Sequence, residues 1–201
     1  ALQGALDIIA EAWSEVAETR QWLFGQAMQF GNVVSKLKRG KKTAGGADKF
    51  EQYFDRQERI ARIPGHRVLA MLRGVSEGIL RVGIELDGSR ELSELNRRLV
   101  HNRRFEFFDD MLDCVADCYS RLLLPATESA VLGQLKEKAD EEAIAVFGKN
   151  LHELLMAAPA GPRVTLGIDP GFRTGCKVAL VDGTGQFVAN ATIYPTAPKN
   201  D

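Results

Sequence analysis

The chain has 201 residues, 45% hydrophobic and 26% charged, with 26 Lys and Arg against 27 Asp and Glu for a net charge of −1. That is one good-sized domain, or one and part of another, and such a length buries roughly 70% of its extended surface without a disulfide or metal staple. Three cysteines, an odd number, argue against a secreted disulfide scaffold; with no apolar run near the roughly 20 residues of a membrane span and no signal segment opening the sequence, a cytoplasmic protein is expected.

Leu2, Ala5, Ile8, Ile9, Ala12, Trp13 and Val16 recur at three- and four-residue spacing, predicting an amphipathic helix over residues 1 to about 20. It begins with no cap and no start methionine, so a removed N-terminus is expected. A second helix runs from about Thr19 to Phe30 and stops at Gly31. Val33 and Val34 open a short extended piece, followed by a basic loop ending in Thr43 to Gly46. Ala47 to Phe54 has helical spacing, anchored by Phe50, Tyr53 and Phe54. Pro64 suits the first turn of a helix reaching about Arg73, and Gly74 and Gly78 bracket a turn. Leu80, Val82, Ile84 and Leu86 then alternate with Arg81, Gly83 and Glu85, the period of a half-buried strand that Asp87-Gly88 ends.

Residues 91–101 predict a short helix and 103–124 a stronger one, through Phe107, Phe108, Met111, Leu112, Val115, Cys118, Tyr119 and Leu122. Pro125 begins a new helix of about 30 residues with a seam of Leu132, Leu135, Ala139, Ala143, Val146, Phe147, Leu151, Leu154 and Leu155. Pro159-Ala160-Gly161-Pro162 is the one clear break in composition and reads as a linker over 159–162. Beyond it come strands at Val164–Ile168, Cys176–Val181 and Gln186–Tyr194. The expected organisation is a helical domain over 1–158 and a β-meander over 163–201. Three strands are too few for an independent core, so the second domain is expected to be cut off in mid-fold.

The near-zero net charge hides an asymmetry. Residues 1–31 carry −3, residues 32–104 carry +8, residues 105–124 carry −4, residues 125–158 carry −3 and the remainder +1. Two clusters make the middle basic: Lys36, Lys38, Arg39, Lys41 and Lys42, and Arg97, Arg98, His101, Arg103 and Arg104. Each is either a solvated face paired with the acidic helices or a contact surface for a polyanion. The first has no carboxylate within five residues, whereas the second abuts Glu106, Asp109 and Asp110.

Gly167-Ile168-Asp169-Pro170-Gly171 puts a carboxylate at the end of a strand, followed by a tight turn. RNase H-like nucleases and actin-like ATPases both use that layout, and so does an ordinary turn. The longer string from Leu166 to Asp182 (LGIDPGFRTGCKVALVD) is more specific: it resembles the start of the YqgF domain, RuvC-like and of RNase H fold, in the Tex family of bacterial transcription accessory proteins. Tyr53-Phe54-Asp55, Ile63 to Gly74 (IPGHRVLAMLRG), Glu77-Gly78, Arg121 to Pro125 (RLLLP) and Glu142 to Leu151 resemble the helical core of the same family, so the resemblance covers essentially the whole chain. Gly65 departs from the serine expected there, a change expected to matter little beyond helix entry.

The resemblance implies a mainly α, multi-helical core with one small strand region, followed by a truncated RNase H-like β-meander: α+β overall. It also implies a non-enzymatic factor that binds RNA or DNA with little sequence specificity, a monomer when intact, with the transcription machinery as a further partner. In the family, helix-hairpin-helix units and an OB-fold RNA-binding domain follow the YqgF domain. The nucleic-acid contacts expected in this chain are Lys36, Lys38, Arg39, Lys41, Lys42, Arg97, Arg98, Arg103 and Arg104. Two readings from other classes stand beside this one: part of an RNase H-fold nuclease or resolvase in which Asp169 holds a catalytic metal, or a scaffold docking proteins on helices 103–158. Two-metal hydrolysis needs converging carboxylates, and Asp182 lies at the far end of the next strand.

No cofactor is implied and no metal set is visible. Cys114 and Cys118 share a helix face with no Cys-x-x-Cys pair and no nearby histidine, so core packing is expected, as for Cys176. His66 is expected in a cap or a buried hydrogen bond, and His101 and His152 on the surface. Trp13, Trp22 and the run Phe105–Phe108 match helical spacing and read as core.

Overall fold

The computed structural model describes residues 2–41, 46–159, 161–171 and 174–195. Contacts within the chain divide it into units of residues 1–148 and 149–201.

The first unit opens with α1 (Leu2–Glu15) and α2 (Ala17–Phe30), separated at Val16, whose backbone is extended. The first helix therefore ends about five residues earlier than its apolar spacing suggests. The Arg20 guanidinium donates to the carbonyl of Ser14 and so satisfies one acceptor that the broken helix leaves open. α2 leads through Gly31 directly into β1 (Asn32–Leu37), so the extended piece predicted at Val33 is a full strand that includes Lys36. A 3₁₀ helix (Ala47–Tyr53) replaces the helix expected up to Phe54, and then comes β2 (Asp55–Arg59), which the sequence does not suggest. After a 3₁₀ turn (Ile60–Arg62), α3 (Gly65–Ser76) and β3 (Leu80–Glu85) follow as expected, and α4 (Gly88–Leu99) begins and ends slightly early.

The strands form an antiparallel sheet in the order β2-β1-β3. Val33, Ser35 and Leu37 point to one side, where Val33 and Leu37 join a core with Phe50, Tyr53, Val68, Met71 and Leu80. Ser35 is fully buried there and donates to the Tyr53 carbonyl at 2.8 Å. A second core gathers Ala10, Leu23, Leu95, Cys114, Val115, Cys118, Tyr119 and Leu123 from α1, α2, α4 and the helix that follows. Leu86 packs against both cores, and α2 supplies Ala27 to the first and Leu23 to the second.

Where two helices meeting at Pro125 are expected, the structure has one continuous rod. α5 (Phe108–Asp117) passes through a π turn (Cys118–Leu123) into α6 (Leu124–Leu155). Proline lacks an N–H and its ring collides with the carbonyl four residues back in a regular helix. The wider turn, in which the Leu124 N–H reaches the Tyr119 carbonyl, takes up that conflict without a break. Residues 103–107, expected in the same helix, lie outside it.

α6 buries Thr127, Val131, Leu135 and Ala139 in the first unit, and beyond Asp140 every described residue to its end is exposed. The predicted seam is thus covered only in its first half. Near the start of α6, Glu128 closes the free edge of the sheet: its carboxylate accepts the Ile84 N–H of β3 at 2.9 Å. Gly83 makes this approach possible, since a Cβ there would stand 2.6 Å from the Glu128 Oε2. Gly65 does more than enter a helix: a Cβ would meet the Ala139 Cα at 3.1 Å, so α3 and α6 lie closer than a serine accommodates without a small shift.

The second unit contains the end of α6 and a meander of β4 (Thr165–Asp169), β5 (Cys176–Val181) and β6 (Phe187–Ile193) in sequential antiparallel order. The structure thus has the predicted α+β layout, a helical core followed by a small β region. Residues of β4 and β6 are exposed throughout.

Two expected outcomes follow from the packing. Glu128→Ala leaves the Ile84 N–H without its acceptor and lowers stability by about 1–3 kcal/mol, read as a fall in urea midpoint; Glu128→Gln retains an acceptor and loses less. Glu91 is 1% exposed, and its Oε2 has no hydrogen-bond partner among the described residues. Burial pushes its carboxyl above the ordinary 4.5, the Asp87 charge adding to this against its own N–H and Arg90. A folded-state pKa above the unfolded one means that Glu91 favours folding fully below pH 4.5 and loses that contribution as the pH rises through the folded value. Glu91→Gln should therefore raise the urea midpoint more at pH 7.5 than at pH 4, and an equal change at both would contradict this account.

Candidate nucleic-acid interface

The outer face of the first sheet carries the residues that alternate with the core set. Along β1 these are Asn32, Val34 and Lys36; their register partners on β3 are Glu85, Gly83 and Arg81. Lys36 therefore stands directly across from Arg81, with Asp55 of β2 as its partner on the other side. Lys36 thus faces a like charge on one neighbouring strand and an opposite charge on the other. Both line an open cavity of about 320 Å³, shared with Glu85 and Glu128.

The chain then leaves the sheet through Lys38, whose N–H bonds to the Ile79 carbonyl at 2.9 Å, and Lys41, whose N–H bonds to the Lys38 carbonyl at 3.2 Å. These backbone bonds fold the basic segment into a turn beside the start of β3. Lys36, Lys38, Arg39 and Lys41 are all exposed, and no ion pair engages them among the described residues. Lys42 lies outside the described residues. Arg81 is the member that sequence order conceals, because it joins the cluster through strand register.

The second cluster is divided. Glu94 holds Arg97 and Arg98 at 2.7 Å each, and the Arg98 guanidinium lies 4.7 Å from the centre of the Trp22 ring. Side-chain hydrogen bonds from Arg97 and then Arg98 bring the Glu94 carboxyl down to about 2, so it is ionised throughout the physiological range. Arg103 and Arg104 are exposed and, among the described residues, make no ion pair. Phe105 and Phe107 beside them are 47% and 39% exposed, which corrects their assignment to the core. Trp13 and Trp22 do pack against the second core.

Other carboxylates and thiols have structural work. Glu58 is pushed up by burial, but hydrogen bonds from Arg56 and Arg67 outweigh this and hold it below 4.5. The thiols of Cys114 and Cys118 donate to the Leu6 and Ala10 carbonyls of α1, both at 3.2 Å; burial raises both, Cys118 to about 11. His66 is exposed at the start of α3, where no side chain caps the helix, in place of the cap or buried bond expected for it.

Asp169 ends β4 opposite Lys177 and is exposed. Asp182 follows β5 and accepts from the N–H and hydroxyl of Thr184 and the N–H of Gln186, bonds that hold its carboxyl below 3.8. It lies five positions from the register partner of Asp169, roughly 16 Å away along a strand, whereas two-metal chemistry needs carboxylates converging on ions about 4 Å apart. The described residues contain no group of three or more His, Cys, Asp or Glu that fits a metal ion, so those present do not fit such a centre. None of the described helices is long and apolar enough to cross a membrane.

Comparison with known proteins places these features in one family. Residues 1–147 match the pattern described as Tex central region-like, and residues 163–201 match the Tex protein YqgF-like domain. Protein tex of Bordetella pertussis is 39% identical over all of this chain, which spans 27% of that protein's length. The transcriptional accessory protein Tex of Neisseria gonorrhoeae is 37% identical over 96% of the chain and 26% of its own length. A human protein named S1 RNA-binding domain-containing protein 1 is 29% identical over 80% of the chain and 17% of its own length. The chain thus spans about a quarter of the bacterial relatives it matches, and it belongs to the Tex family.

Proposed function

We propose that this chain is part of a cytoplasmic transcription accessory factor that contacts RNA or DNA through phosphate groups, without catalysis or a cofactor and with little sequence specificity. The observation that carries the reading is the basic column at one end of the first sheet. Lys36 and Arg81 oppose each other across two strands, and Lys38, Arg39 and Lys41 extend the charge with no carboxylate bound to them among the described residues. Flexible lysines deliver charge without a fixed donor geometry, which suits phosphates better than base edges. The names of two relatives, a transcriptional accessory protein and an S1 RNA-binding domain-containing protein, point to the same class of partner.

Within the second cluster the contact falls to Arg103 and Arg104, because Arg97 and Arg98 are already bound by Glu94. The roughly 16 Å of strand between Asp182 and the register partner of Asp169 supports the non-enzymatic reading of this stretch.

Seven phosphate contacts, from Lys36, Lys38, Arg39, Lys41, Arg81, Arg103 and Arg104, give a slope of about −4.9 in log affinity against log salt on a single strand, at about 0.7 per contact. Fluorescence anisotropy with labelled single-stranded RNA and duplex DNA across a salt series measures it. Replacing Lys36, Lys38, Arg39 and Lys41 with Ala should flatten the slope by about 2.8. A slope that is flat in the parent, or unchanged in the variant, overturns the phosphate reading.

A further inference from the structure

Between the end of α4 and the start of α5 the chain makes an elbow over residues 100–107. Two tight turns fold it: the Phe105 N–H reaches the Asn102 carbonyl at 3.2 Å, and the Phe108 N–H reaches that of Phe105 at 3.0 Å. The Asn102 side chain fixes the first by accepting the Arg104 N–H at 3.1 Å. This backbone presents Phe105 and Phe107 together, ring centres 5.7 Å apart and planes inclined by 61°. Such an edge-to-face pair uses one ring face and one edge, so further aromatic surface stays open, in line with the exposure of both rings.

The surroundings say what suits that surface. Arg103 and Arg104 precede the pair, and a cavity of about 650 Å³ opens on the α4 side, lined by Arg97, His101, Arg103 and Phe108 among others and by Glu94, which is already paired with Arg97 and Arg98. Asp109 and Asp110 lie in the first turn of α5 and Glu106 between the two rings in sequence; all three repel a phosphate, which leaves the arginines preceding the rings to an anionic backbone while an apolar, flat group meets the rings. A duplex keeps its base faces stacked on one another and offers no such group; an unpaired base next to its own phosphate offers both.

We propose that this elbow is a base-stacking site for single-stranded nucleic acid, with Phe105 and Phe107 receiving an unpaired base and Arg103 and Arg104 its phosphates. The inference rests on the nucleic-acid reading above but concerns a different surface and a different interaction. It makes preference for a single strand over a duplex a property of this helical unit.

The test uses the 201-residue chain and two labelled strands of 12 nucleotides, one intact single-stranded RNA and one abasic strand of equal length. The abasic strand keeps the phosphates and lacks the stacking surface. The parent should bind the intact strand about tenfold more tightly. Phe105→Ala combined with Phe107→Ala should bring the two affinities together by weakening the intact strand alone, while Phe107→Tyr keeps the difference. Equal affinities in the parent, a difference that survives the double substitution, or a loss tied to a changed oligomeric state (a second copy or protein partner using the rings) overturns the inference. The phosphate reading is judged separately, on the abasic strand: its salt slope and the effect of replacing Lys36, Lys38, Arg39 and Lys41 decide that claim whatever the rings do.

Discussion

A three-stranded sheet has two edges and too little surface to bury itself, and closing its β3 edge is the constraint on which the first unit depends. The bond from the Ile84 N–H to the Glu128 carboxylate does this. The helix edge can come that close only because Gly83 has no side chain on the outer face. Once Glu128 is fixed there, Val131, Leu135 and Ala139 follow at helical spacing into the first core. The π turn just before it carries Cys118, Tyr119 and Leu123 into the second core. One carboxylate thus sets the phase of a helical rod that serves both cores, and the same contact leaves the Lys36–Arg81 end of the outer face open.

Much of this was legible in the sequence wherever apolar periodicity was clean. The alternation from Leu80 to Leu86 marks β3, and the three C-terminal strands fall within a residue or two of their predicted limits. β2 was invisible because Asp55-Arg56-Gln57-Glu58-Arg59 has no apolar residue to alternate; it is an edge strand whose charged side chains discourage pairing with another chain. Its stability comes from partners distant in sequence, such as Arg67 on Glu58 and Gln57 on Glu85, which no local pattern announces. Pro125 misled for a related reason: the sequence shows the missing N–H, but the wider turn that accommodates it is visible only in the backbone.

The candidate site divides along the same line. Basic residues close in sequence were readily seen, but their availability was not, because it depends on neighbours. Arg97 and Arg98 share a helix with Glu94 at three- and four-residue spacing and are held by it, so one of their two charges is cancelled and both side chains are tied down. Lys38, Arg39 and Lys41 occupy a turn where, among the described residues, they make no ion pair. Arg81 belongs with them by register alone. Spacing likewise assigned Phe105 and Phe107 to a helix core, whereas the helix starts only at Phe108 and leaves both rings outside.

The low sequence specificity proposed for this surface would follow from the kinds of groups present rather than from weak binding. Discriminating bases requires donors and acceptors held rigidly against base edges, which fixed forks such as a bidentate arginine provide. Among the described residues, Arg97 and Arg121 are held by forked bonds to Glu94 and Asp117, and Arg98, Arg56 and Arg67 are each bonded to Glu94 or Glu58. Those left exposed, with the lysines of the β1 turn, interact through charge, and an exposed ring offers its face to any base. A surface built this way would hold many strands alike, and discrimination between sequences would have to come from rigid hydrogen-bonding groups elsewhere.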